Sequence, residues 1–177
     1  MKSAYLPEHI CEHLFAALTP ENALVLRASL ATGLRIGDVL QLTPQQVERG
    51  RFTVREQKTG KSRRVYIPVD LRRELLGIAG KYYIFPHRTD PKRHRTRQAV
   101  NADLRRAAVA FRVKTNVTPH TMRKLYAVSL YKATGNLAEV QAALNHEYIA
   151  TTLLYALADE LPQQKLTRRR KKKMSHK

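Results

Sequence analysis

Apolar residues recur at helical spacing through most of the chain and alternate in only one short region. Ile10, Leu14, Ala17 and Leu18 share a face, which predicts a helix over residues 7–18. Thr19-Pro20-Glu21 reads as the next helix start, a hydroxyl cap followed by proline where its missing N–H costs nothing. That helix runs through Leu24, Leu26, Ala28 and Leu30 to Gly33, a residue suited to a left-handed cap. Residues 34–40 turn into a short helix, and Thr43-Pro44 opens another. From Arg51 the pattern changes. Phe52-Thr53-Val54-Arg55-Glu56 alternates as a strand does, Thr59-Gly60-Lys61-Ser62 turns, and Arg63-Arg64-Val65-Tyr66-Ile67 returns.

Beyond the hairpin, Asp70 is placed to cap a helix reaching about Ala79, and residues 86–96 form a polar, basic loop. A helix over 97–112 turns Val100, Leu104, Ala107, Ala108 and Phe111 inward. Thr118-Pro119 opens the longest helix, ending near Thr134-Gly135, and Asn136 caps one over 137–144. A last helix is expected over 148–157, and from Gln163 the chain is polar and basic. The expected fold class is α+β, mainly helical, with one small antiparallel hairpin or three-stranded sheet within 51–85. Residues 1–162 would form one domain, with 163–177 as a basic tail.

Composition narrows the function. A chain of 177 residues with 43% apolar content suits one domain with a single packed core. No apolar run approaches the roughly 18 residues of a membrane span, and the first residues lack a signal-peptide core. The lone Cys11 excludes an internal disulfide and fits a reducing compartment, so a cytoplasmic location is expected. Net charge is +19. Taking away the six basic residues 168–173 still leaves +13, so the folded part itself is basic and calls for a polyanion such as nucleic acid.

The candidate chemistry lies in four places. Pro119 at a first helical position puts His120 and Arg123 in the opening turn, three apart, beside free N–H groups and the positive end of the helix dipole. This is an anion site in outline, and equally the outline of an ordinary surface pair. Arg35 follows a helix end between Leu34 and Ile36. Lys58 stands at the hairpin tip, where lysine also serves plain solubility. His146 and Tyr155 sit nine apart near the end. Two arginines, a lysine, two histidines and a tyrosine suit phosphodiester chemistry without metal. Guanidinium forks match the oxygens on which charge builds. A tyrosine with a reference pKa of about 10 needs a cation field and a proton acceptor to become a nucleophile. The departing sugar oxygen needs a proton, which a lysine on a hairpin can reach. His9, Cys11 and His13 lack an evident fourth ligand, so no metal or other cofactor is expected.

Arg35 in Thr32-Gly33-Leu34-Arg35-Ile36-Gly37-Asp38, Lys58 in Lys58-Thr59-Gly60-Lys61, His120-x-x-Arg123, and Leu144-Asn145-His146 followed by Tyr155 together resemble the tyrosine recombinase, or phage integrase, family in order and spacing over about residues 5–158. The resemblance implies the family's catalytic domain and a site-specific DNA recombinase needing neither metal nor ATP. Arg35 and Arg123 would clamp the scissile phosphate, and Tyr155 would attack it to leave a 3′-phosphotyrosine and a free 5′-hydroxyl. Lys58 would be the general acid, His120 would serve proton transfer, and His146 would hydrogen-bond the phosphate. Asp38 matches an acidic family position and would support the arginine site from behind. The implied partner is double-stranded DNA at a specific site, bound by a homo-tetramer assembled from free monomers.

Some features depart from the family. Only 34 residues precede Arg35, so the usual N-terminal clamp domain is expected to be absent, as in the fimbrial phase-switch invertases or in a fragment. Asn145 replaces the usual glycine before the histidine, and Lys124 follows Arg123 where histidine or arginine is usual. Arg63, Arg64, Arg97 and Arg105, with Arg168, Arg169, Arg170 and Lys171 in the tail, are the expected DNA-binding residues. Helix 97–112 also suits a plain solvated basic face. Two other readings stand beside it: a type IB topoisomerase-like relaxation of DNA, which uses similar residues, and a catalytically silent DNA-binding module, against which the intact six-residue set argues.

Overall fold

The structure is a computed structural model that describes residues 6 and 8–145. Tyr155, His146, the expected helix over 148–157 and the basic tail lie outside the described residues. The chain divides into two compact units, residues 1–126 and 127–177.

The first unit contains α1 (Glu8–Ala17), α2 (Pro20–Thr32), α3 (Ile36–Leu40), α4 (Pro44–Arg49), β1 (Arg51–Arg55), β2 (Ser62–Tyr66), α5 (Val69–Gly77), α6 (Arg97–Ala110) and the start of α7 (Pro119–Thr134). Helix α2 is its spine. Leu24, Val25, Leu26, Ala28, Ser29 and Thr32 are all buried, because α3, α5 and α6 pack around it. Leu14 of α1, Leu75 of α5, and Val100 and Leu104 of α6 belong to the same core.

Charge also holds this core together. Asp103 of α6 accepts hydrogen bonds from the Thr19 N–H at 2.9 Å, the Thr19 hydroxyl at 3.0 Å and the Asn22 amide at 2.8 Å, and from Arg106 of its own helix. The Thr19 hydroxyl, expected to cap its own helix, is thus directed to a neighbouring one. Burial pushes the Asp103 carboxyl up, but these donors outweigh it and hold it at about 2.

The sheet has two strands among the described residues, antiparallel, with Arg51 opposite Tyr66 and Arg55 opposite Ser62. After Ile67 the chain enters α5, and its return approaches the core only as a loop, where the Ile84 N–H reaches the Leu42 carbonyl at 2.8 Å. A third strand does not form because residues 78–85 make no ladder. Pro68 caps α5, so Asp70 sits in the first turn and pairs with Arg73 at 3.5 Å. Phe111 is a second correction. It stands 47% exposed past the end of α6, stacked on His13 with ring centroids 5.8 Å apart.

In the second unit, α7 continues to Thr134, and Gly135 leads to α8 (Leu137–Ala143). Asn136 caps α8, accepting from the N–H groups of Ala138 and Glu139.

Candidate active site

A groove of about 390 Å³ opens in the first unit, lined by Arg35, Asp38, Gln57, Lys58, Arg97, His120 and Arg123 together with apolar and glycine neighbours. Residues 88 positions apart in sequence, Arg35 and Arg123, meet there because α2 ends where α3 and α7 begin. Helix α2 stops at Gly33, whose φ of 67° closes the left-handed cap. Arg35 is then the N-cap of α3. The terminal carbonyls of α2 have no partner within their helix, and two arginines satisfy them. Arg63 donates from Nη2 to the Thr32 oxygen at 2.8 Å, and Arg123 from Nη1 to the Gly33 oxygen at 2.6 Å.

One carboxylate stands at the centre of these cations. Glu56 is wholly buried at the end of β1. Its Oε2 accepts from Arg35 Nη1 and from the Thr59 hydroxyl at 3.0 Å. Its Oε1 lies 3.5 Å from both Arg123 Nη1 and Arg63 Nε. Burial pushes its pKa up, but the Arg35 hydrogen bond, the charges of Arg123 and Arg35, and the Thr59 hydroxyl prevail and hold it below the usual value. Glu56 is therefore ionised at neutral pH.

Asp38 lines the same groove as Arg35 and Arg123. Its Oδ1 accepts from the Gln57 backbone N–H at 3.0 Å, so it anchors the loop that carries Lys58, while Glu56 takes the arginines. Burial, reinforced by the Glu56 charge, raises the Asp38 carboxyl, with the Gln57 N–H, Arg35 and Arg123 opposing. The Lys58 loop closes on itself through Glu56 N–H to the Lys61 oxygen at 3.0 Å and Gly60 N–H to the Glu56 oxygen at 2.8 Å.

His120 is in the first turn of α7 and is exposed to solvent. Partial burial in the groove, then the charges of Arg123, Lys124, Arg35 and Lys58, draw its pKa down to about 4. Water screens part of that repulsion, but the direction leaves a neutral imidazole at pH 7. The groove thus offers cations to an anion, plus a neutral ring able to accept a proton.

Arg35, Lys58, His120 and Arg123 are therefore brought together, with Asp38 beside them. Of the expected DNA-binding residues, Arg97 lines the same groove and Arg105 is exposed on α6. Arg64 lies on the outward sheet face near Arg51, whose guanidinium sits 5.3 Å over the Tyr66 ring. Arg63 is a correction. Its side chain is 7% exposed, is held by Glu56 and the Thr32 carbonyl, and is not among the residues lining the groove. Glu56 was missed, although the strand pattern contained the signal. Phe52 and Val54 point inward, and two residues further on so does Glu56.

The model of the phage integrase family matches residues 5–161. A putative integrase/recombinase, y4qK of Sinorhizobium fredii, is 32% identical over 157 residues, covering 84% of this chain and 50% of that protein. The chain spans about half the length of the curated relatives it matches. Among solved structures, XerA recombinase superposes with a TM-score of 0.72 at 23% identity, covering 96% of this chain and 66% of that one. The XerH site-specific recombinase bound to palindromic difH substrate, in a post-cleavage complex, gives 0.71 at 18% identity, covering 93% and 52%. The helical fold with its small hairpin, the groove built at the end of α2 and the match across almost the whole chain agree: this protein belongs to the phage integrase family.

Proposed function

We propose that this chain is the DNA-breaking and rejoining part of a tyrosine-type site-specific recombinase. The observation that carries the reading is the convergence of Arg35, Lys58, His120 and Arg123 on one groove with a buried, ionised Glu56 behind the arginines. Arg35 and Arg123 hold the non-bridging oxygens of the scissile phosphate, and their charge counts most as the transition state forms. The Tyr155 oxygen attacks phosphorus, the bond from phosphorus to the 5′ oxygen breaks, and Lys58 gives that oxygen its proton. The products are a 3′-phosphotyrosine and a free 5′-hydroxyl. Attack by a second 5′-hydroxyl reverses the step on a new strand. His120, neutral at pH 7, accepts the proton that the Tyr155 hydroxyl gives up as its oxygen bonds to phosphorus, and His146 hydrogen-bonds the phosphate.

The partner is a DNA duplex with a specific site, gripped by Arg64, Arg97, Arg105 and the tail residues Arg168, Arg169, Arg170 and Lys171. Four copies assemble on two sites, and the free protein is a monomer in the cytoplasm. Support comes from the net charge of +19, from relatives named integrase or recombinase, and from the structural neighbour solved with its DNA. Among the described residues, no helix is long and apolar enough to cross a membrane.

The test is covalent trapping without knowledge of the site. The protein is mixed with duplexes carrying a randomised core and a nick that lets the short cleaved fragment escape, with a chelator present. A denaturation-resistant adduct whose DNA converges on one sequence is expected. Convergent binding without any adduct would instead favour a silent DNA-binding module.

A further inference from the structure

Among the described residues, Glu56 is the carboxylate that forms ion pairs with both Arg35 and Arg123. Arg35 gives it one hydrogen bond and keeps 22% of its side chain open. Arg123 is 1% exposed and is fixed between Glu56 and the Gly33 carbonyl. Thr59, one residue beyond Lys58, donates its hydroxyl to the same carboxylate. Arg63 closes the far side. Three guanidinium groups packed at this spacing repel one another, so their orientation depends on the anion between them. A carboxylate needed only for the fold would sit among groups that stay inside. Glu56 contacts two that face the groove and the loop that carries a third.

We propose that Glu56 is a positioning residue for strand cleavage: it sets the guanidinium planes of Arg35 and Arg123 and, through Thr59, ties them to the loop bearing Lys58. The inference rests on the recombinase reading for its effect on cleavage, and on the contacts alone for its effect on the arginines.

The experiment uses the full chain and the duplex recovered by trapping, with either a phosphate or a neutral methylphosphonate at the scissile position. Glu56→Gln keeps the shape and removes the charge. Glu56→Asp keeps the charge and withdraws it by one methylene. With the phosphate substrate, single-turnover cleavage is expected to slow about 100-fold, the scale of a misplaced catalytic group, while DNA affinity holds. On the methylphosphonate, which carries no ionic oxygen for the arginines to neutralise, the slowing should shrink to a few-fold. Equal slowing on both substrates would overturn the proposal, since a merely loosened fold affects both alike. If Glu56→Gln does not fold, Glu56→Asp carries the comparison. An independent readout is the ¹⁵N–¹H spectrum of the guanidinium groups. Separate, slowly exchanging Nη signals for Arg35 and Arg123 should merge in the variants, and unchanged signals would overturn the proposal whatever the enzyme does. A wild-type chain that cuts neither substrate would count against the recombinase reading, and the spectra would then decide the role of Glu56.

Discussion

Lys58 stands at the tip of a loop held at two points, Gln57 N–H on Asp38 and the Thr59 hydroxyl on Glu56. That double tether makes it a defined part of the groove, whereas a lysine kept for solubility would need no such hold. As the proposed proton donor to the leaving 5′ oxygen, it gives a clear expectation. Lys58→Ala should slow cleavage by about 10²–10⁴-fold, the usual contribution of a general acid. Replacing the bridging 5′ oxygen by sulfur, which leaves without a proton, should restore most of the rate. A sulfur substrate that stays as slow as the oxygen one would remove Lys58 from that role. At this scale Arg35, His120 and Arg123 were legible because each sits at a helix boundary marked by glycine or proline. Glu56 was not, because a charged residue in a strand is read as facing solvent. Only its position two beyond Val54 says otherwise, and two of the three arginines that make its burial tolerable, Arg35 and Arg123, lie 21 and 67 residues away in sequence.

At the level of elements, the site depends on how α2 ends. Gly33 has a φ of 67°, and a Cβ there would come within 2.4 Å of the Tyr126 ring. The same residue offers its carbonyl to Arg123 and precedes Arg35 by two. Gly33→Ala combines backbone strain of about 1–3 kcal/mol with a steric clash. A melting temperature lower by several degrees is expected, together with slower cleavage, and an unchanged melting temperature would refute this view of the turn. The helices were largely legible, since apolar spacing and caps such as Asn136 mark them locally. The sheet was only partly so. Alternation and a turn declare β1 and β2, but nothing local says that residues 78–85 approach the core as a loop. Nor does local sequence say that the Thr19 hydroxyl serves Asp103, because that bond joins residues 84 apart.

For the whole molecule, two groups make acid the direction of lost stability. Asp103 sits at about 2 when folded, below its usual 3.8, so its contribution is full above about 4 and lost as pH falls through 2. His120 sits near 4, below its usual 6.5, so the unfolded chain binds more protons between those values and stability falls as pH drops below 6.5. Denaturant midpoints should therefore decline from pH 7 to pH 4 and more steeply below. Asp103→Asn should cost about 1–3 kcal/mol at pH 7 and much less near pH 2, and a cost independent of pH would contradict the assigned network. The charge of +19 was plain from composition, and it predicted a polyanion partner without saying which face would meet it.

We propose that the groove holds a phosphate for attack by Tyr155, and the attachment point of the trapped strand tests this most directly. Protease digestion of the adduct followed by mass spectrometry should find one peptide, carrying the DNA 3′-phosphate on Tyr155. Tyr155→Phe should then give no adduct while still binding the same duplex. Attachment at another residue such as Tyr148, or linkage through a 5′-phosphate, would contradict the account.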